Sequence, residues 1–219
     1  YADRKATIVD ILCDKNFERE GKIKELNDTL GKVFPKLEGD KVTFIGSTFM
    51  NYGNQEPHLN HCIVLNTCSA MPIDNSVVES YSTEKDVLLA WQQLVQRENP
   101  DIIIGYNIFG FDMPYIWDRA KELGILEEYS IGWGRLITRK TSLVEQKLSS
   151  SAMGDNILRY IDMDGVVLID LLKVMQREQK LDSYKLDNVA SIFLGDNKND
   201  LKPQEIFNKF KGRSFINPQ

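Results

Sequence analysis

The alternation of apolar and polar positions changes character near residue 40. Residues 1–31 mix charge with scattered apolar positions, as in IVDIL and IKELNDTL, a texture that predicts one or two short surface helices. From Lys41 the chain turns to β-branched and aromatic runs. KVTFIGSTFM and HCIVLNTC, separated by the turn-rich NYGNQEPHLN, predict a strand pair at a sheet edge, and SVVESYS predicts another short strand. A helix from Thr83 to Glu98 follows, because Val87, Leu88, Trp91, Leu94 and Val95 recur on one side at helical spacing.

NPDIIIGYN then holds a short apolar run between breakers, the mark of a buried parallel strand, and DMPYIWDRAKELG reads as a helix ended by Gly124. GVVLI is a second such run and feeds the helix LLKVMQREQK. Ile102 to Tyr106 and Val166 to Ile169 are therefore expected as neighbouring buried strands near the centre of one sheet. Between Arg135 and Asp164 an alternating, Ser-rich stretch predicts an extended hairpin projecting from the core. The tail from Lys185 reads as two short helices around a polar turn. Strands alternating with helices imply an α/β core.

Composition narrows the field of functions. With 219 residues, 42% of them hydrophobic, the chain can bury the core of one domain, or of one domain plus an appendage. A formal net charge of -5 argues against a general polyanion-binding surface, although a nuclease pocket is itself locally acidic because it holds cations. Cys13, Cys62 and Cys68 form no Cys-x-x-Cys pair, so neither a disulfide framework nor a zinc site is suggested, and a reducing, intracellular setting is expected. No apolar run approaches a membrane span, and no signal-peptide pattern opens the chain. A start at Tyr1 rather than Met points to a piece of a longer protein.

The segment richest in chemistry is DIIIGYNIFGFDMPYIW, where a strand delivers Asn107 and then Asp112 to the start of a helix. A carboxylate there is aimed at the crevice outside the strand's carboxyl end, where open α/β sheets bind ligands. Phosphodiester hydrolysis commonly uses two divalent metals ~3.5–4 Å apart held by converging carboxylates, and one Asp at such a junction can be one ligand. The plainer reading stands beside it: Asp112 caps the helix containing Pro114, and Asn107 forms a turn.

GYNIFGFDMPYI resembles the second exonuclease motif of family B DNA polymerases, an Asn, a short spacer, an aromatic and an Asp. FIGSTFMNYG upstream, and SSSAMG and VVLIDLLKVMQREQKLDSYKLDNVASIFLG downstream, are similar to the same domain in order and separation. The resemblance spans roughly residues 40–210. Its flavour is that of delta-type polymerases and, more closely, of large DNA virus polymerases. It implies a ribonuclease-H-like α/β fold with a mixed central sheet and a projecting β-hairpin, residues 1–39 being an N-terminal helical segment and 40–219 the partial exonuclease domain. It also implies a proofreading 3′→5′ exonuclease within a DNA-directed DNA polymerase, with two Mg²⁺ or Mn²⁺ ions as cofactor. The implied partners are the single-stranded primer 3′ end of DNA and the rest of the polymerase chain, in the nucleus or at a viral replication site and without a membrane. By the same resemblance Asp112 is a metal-associated catalytic carboxylate, Asn107 contacts the frayed primer end, and Phe111 shapes the pocket.

Two departures from the family stand out. Its first motif, Asp-x-Glu on an opening strand, does not occur, since VDIL lacks the Glu and DKNFERE has the wrong spacing. Its third, Tyr-x-x-x-Asp, is expected after KFKGR, where the chain ends FINPQ. The fragment alone is therefore expected to be inactive. Tyr160 and Asp164 have the third motif's spacing but lie in the hairpin, and Asp187 follows Tyr184 one position too soon, in a context that reads as core packing. His58 and His61 flank a turn and read as a surface hairpin. Asp170 reads as a helix cap. Arg135, Arg139, Lys140 and Lys147 either track a strand's phosphates or form a solvated face. A stand-alone exonuclease and a non-catalytic domain of the same fold remain the alternatives.

Overall fold

A computed structural model describes residues 8–16, 18–33, 38–136, 138–150, 154–195 and 203–211. The chain divides into two compact units, Tyr1–Asp40 and Lys41–Gln219. In the first, helices α1 (Ile8–Cys13) and α2 (Arg19–Val33) match the amphipathic texture of that stretch, and the Lys22 ammonium donates to the Leu12 carbonyl at 2.8 Å. No helix among the described residues is long and apolar enough to cross a membrane.

The second unit opens with the expected strand pair. β1 (Phe44–Phe49) runs antiparallel to β2 (Leu59–Leu65), and β3 (Ser76–Tyr81) lies parallel on the far side of β2, giving a mixed sheet in the order β1-β2-β3. Helix α3 (Glu84–Glu98) starts where Thr83 accepts the Asp86 N–H, and it ends at Asn99, whose left-handed backbone donates to Val95. Its one-sided apolar stripe buries Val87, Leu88, Leu94 and Val95 against Ile63 and Leu65 of β2, the centre of the core.

β4 (Ile102–Gly105) pairs in parallel with β7 (Val167–Asp170), Ile102 opposite Val167 and Gly105 opposite Asp170. They are neighbours as expected, yet they are not buried at a sheet centre. Ile102, Ile104 and Val167 are 49%, 56% and 55% exposed, while the alternate residues Ile103 and Leu168 pack on the core. The cause is that, among the described residues, β4 and β7 form a two-stranded sheet of their own. The edges of β1 and β4 that are unpaired among the described residues both line one cleft of about 640 Å³.

Helices α4 (Asp112–Glu122) and α5 (Leu126–Tyr129) follow β4, with Gly124 at φ 69° ending the first of them. The hairpin forms as β5 (Leu143–Ser150) and β6 (Gly154–Ile161), in register from Leu143 opposite Ile161 to Ser150 opposite Gly154. Its root is buried through Thr141, Ile161 and Met163. β7 feeds α6 (Leu171–Glu178) as expected, and the tail gives α7 (Leu186–Leu194) and α8 (Pro203–Phe210), while the polar turn between these two falls largely outside the described residues.

Candidate active site

Backbone geometry at the end of β4 aims the candidate residues. Asn107 takes the left-handed conformation, φ 62°, and its carbonyl accepts from Gly110 and Phe111 at 3.1 and 3.0 Å, the turn expected of it. The turn closes tightly: a Cβ on Gly110 would stand 2.3 Å from Asn107 Oδ1, and one on Gly105 2.3 Å from Ile108 Cγ2. A side chain at either position would force the Asn107 or Ile108 side chain to move.

Helix α4 begins at Asp112 itself, with Phe111 in the cap position and no side-chain capping bond. Asp112 is thus the first residue of the helix rather than the residue before it. Its carboxylate sits in the first turn, where the helix dipole favours negative charge, and lines the cleft between β1 and β4. Partial desolvation there raises its pKa above the ordinary Asp value; a hydrogen bond from its own backbone offsets part of this, and the Asp170 carboxylate adds to the rise. Phe111, 58% exposed, lies stacked on Tyr115 with ring centroids 5.2 Å apart.

The raised pKa carries a consequence for stability. A folded state that binds the proton more tightly than the unfolded chain is disfavoured once pH rises through that pKa, so ionised Asp112 weakens the fold at neutral pH. Asp112→Asn is expected to raise the unfolding temperature at pH 7, by an amount that shrinks as pH falls towards 4. Thermal unfolding followed by circular dichroism checks this; a gain that grows on acidification would contradict it.

Asp170, 2% exposed, does more than its predicted capping of α6. Its Oδ1 accepts from Leu172 at 3.0 Å and from Asn107 at 2.8 Å, and Oδ2 accepts from Phe109 at 3.1 Å. Tyr106 donates to the Tyr184 carbonyl at 2.5 Å, holding the SYKLDN segment to the end of β4. Desolvation, with Asp170 nearby, raises the Tyr106 phenol. Sequence reasoning missed this cluster because its members are more than sixty positions apart.

Other candidates resolve into structure. His61 is not on a surface hairpin but 2% exposed, because β2 is flanked by β1 and β3; its Nε2 lies 3.1 Å from Glu79. His58 lies 3.7 Å from Glu98. Tyr160 packs on Phe109 at 5.4 Å and Asp164 accepts from Arg139 at 2.9 Å, so this pair belongs to the hairpin root. Asp187 is exposed, and the residue that packs from α7 is Val189. Arg135, Arg139 and Lys140 are engaged with Asp101, with Asp162 and Asp164, and with Glu127. These exposed pairs fit the solvated-face reading of the three residues. No group of three or more His, Cys, Asp or Glu among the described residues is arranged to hold a metal ion.

The family model of the DNA polymerase family B exonuclease domain matches residues 24–189. The chain belongs to that exonuclease family. Similar proteins include the DNA polymerase of Pyramimonas orientalis virus, 44% identical over 199 residues that cover 86% of this chain and 16% of that protein. The DNA polymerase of Phaeocystis pouchetii virus is 35% identical over 209 residues, 89% of this chain and 20% of that protein. The DNA polymerase delta catalytic subunit of Candida albicans is 37% identical over 170 residues, 78% of this chain and 16% of that protein. The chain thus spans a fifth or less of the length of these relatives, within their family B exonuclease domain.

Proposed function

We propose that the chain is part of a proofreading 3′→5′ exonuclease that hydrolyses mispaired 3′-terminal nucleotides of DNA. The observation that carries this reading is the setting of Asp112, just beyond the carboxyl end of β4, on the wall of a cleft lined by two sheet edges that are unpaired among the described residues, close to Asn107 and Phe111. An extended segment entering that cleft can take up the backbone donors and acceptors of both edges. It would join β1-β2-β3 to β4-β7 as one mixed sheet of ribonuclease-H-like type. An Asp-x-Glu on that segment would bring further carboxylates to Asp112.

Asp112 fits one ligand position and not a whole centre, since Asp170 spends its oxygens on three backbone amides. Bound divalent ions, Mg²⁺ or Mn²⁺, would supply an activated water and neutralise the scissile phosphate. Asn107 offers its amide to the frayed primer end. The exposed Phe111 ring offers a stacking surface to an unpaired base. The further context in this reading is DNA and the rest of a replicative polymerase chain, in the nucleus or at a viral replication site, with residues 1–39 forming part of the same exonuclease domain as 40–219. That the relatives named above are DNA polymerases favours this context over a stand-alone exonuclease.

A strand supplied in trans tests the reading. An extended peptide bearing Asp-x-Glu between apolar residues, added to the 219-residue chain, should shift the amide resonances of β1 and β4. It should also raise Mn²⁺-dependent shortening of a single-stranded oligonucleotide above the negligible level of the chain alone, and Asp112→Ala should remove the gain. A peptide that perturbs only other surfaces, or strong metal-dependent shortening by the chain alone, would count against it.

A further inference from the structure

Asn107, Phe111 and Asp112 sit on or beside a turn with a left-handed residue in it. Asparagine tolerates φ 62° better than most side chains, and its carbonyl takes two amides within the turn, yet the conformation is still less favoured than an ordinary one and gains from a partner outside the turn that holds it. Asp170 is the group in position to do so. It closes β7 directly opposite Gly105, the last residue of β4, and its carboxylate is buried beneath the turn. One oxygen accepts the N–H of Asn107 itself at 2.8 Å, and the other accepts that of Phe109 at 3.1 Å. The Leu172 N–H at the start of α6 completes its partners at 3.0 Å. An ionised carboxylate is the side chain that offers acceptors alone, enough of them for three converging amides.

We propose that Asp170 is a positioning residue: it fixes the left-handed backbone of Asn107, and through it the direction in which Asn107 and Asp112 meet the 3′ end of a DNA strand. The role rests on the exonuclease reading for its substrate and on the three hydrogen bonds for its mechanism. It differs from helix capping, which involves the Leu172 amide alone. Asp170 is not assigned a part in the reaction, since it is 2% exposed and turned to the backbone beneath the turn. Asp112 opens the helix that leaves the turn Asp170 holds, so the turn sets where that first helical residue enters the cleft, while the buried face of α4 fixes the rest of the helix.

Serine and asparagine separate the two roles. Asp170→Ser keeps a good cap for α6 but has one short oxygen that cannot serve both turn amides. Asp170→Asn keeps a carbonyl oxygen for Asn107 and Leu172. In the 219-residue chain, amide hydrogen exchange at Asn107 and Phe109 should quicken at least about tenfold in Asp170→Ser, while Leu172 stays near its original rate. Affinity for a short fluorescent oligothymidylate in Mg²⁺, read by anisotropy, should drop by about the same factor, and Asp170→Asn should recover protection at Asn107 together with most of the affinity. Unchanged exchange at Asn107 and Phe109 in Asp170→Ser would overturn the clamp, and so would affinity that holds while those amides open. Should Asp170→Ser not fold, Asp170→Asn decides: exchange at Phe109, which then faces an amide donor, must quicken while Asn107 stays protected. A wild-type chain that binds no oligothymidylate would sink the exonuclease reading, and the exchange rates would still decide the clamp.

Discussion

Replacing Arg119 by leucine is expected to destabilise the protein by about 3–5 kcal/mol, because it strands a buried carboxylate. Arg119 on α4 and Glu84 at the start of α3 are each 5% exposed. The guanidinium Nε donates to Glu84 Oε1 at 2.8 Å, a second guanidinium nitrogen reaches Oε2, and a third meets Glu122. Glu84 Oε1 also accepts the backbone N–H of Val42 at 2.9 Å, so one carboxylate ties together the approach to β1, the first turn of α3 and the middle of α4. The hydrogen bonds from Glu84 hold the Arg119 pKa above its ordinary value. For a domain of this size the loss corresponds to an unfolding temperature lower by roughly 6–20 °C. The double variant Glu84→Met with Arg119→Leu removes both charges and should be less destabilised than Arg119→Leu alone. A double variant that loses the sum of the two single effects would show that the pair is not coupled.

The elements legible in the sequence were those whose periodicity is their own. The stripe on α3, the strand-to-helix junction at Asp112 and the alternation of the hairpin each follow from local spacing. Burial was less legible, since a run such as IIIG between breakers is the same whether or not a strand lies beside it. The exposure of Ile102 and Ile104 depends on what occupies the neighbouring cleft, not on residues 102–105. His61 was misread because its burial comes from β3, which pairs on the far side of β2 some fifteen residues later. The basic residues of the hairpin looked available because Asp101, Asp162 and Asp164, which hold Arg135 and Arg139, are brought to them by the fold. Asp170 read as a cap because the Leu172 bond is local, whereas the amides of Asn107 and Phe109 are reached only through the pairing of β4 with β7. Of the candidate site, Asn107, Phe111 and Asp112 could be found as a local string, and the residue that holds the string could not.

Asp112 is proposed above as a metal-binding carboxylate of an exonuclease site. Asp112 lines the cleft, burial there raises its proton affinity, and it opens α4 as the first helical residue. Removing an outer partner of a metal ligand typically costs 10–100-fold in activity, so removing the ligand itself should cost more than about a hundredfold. The measurement is primer degradation by a polymerase carrying this sequence together with the Asp-x-Glu strand, wild type against Asp112→Ala, with primer extension followed in parallel. The expected result is loss of 3′-end shortening by more than about a hundredfold with extension largely kept, because the exonuclease site and the polymerising site are separate. An Asp112→Ala enzyme that shortens mispaired primers at the wild-type rate would contradict it.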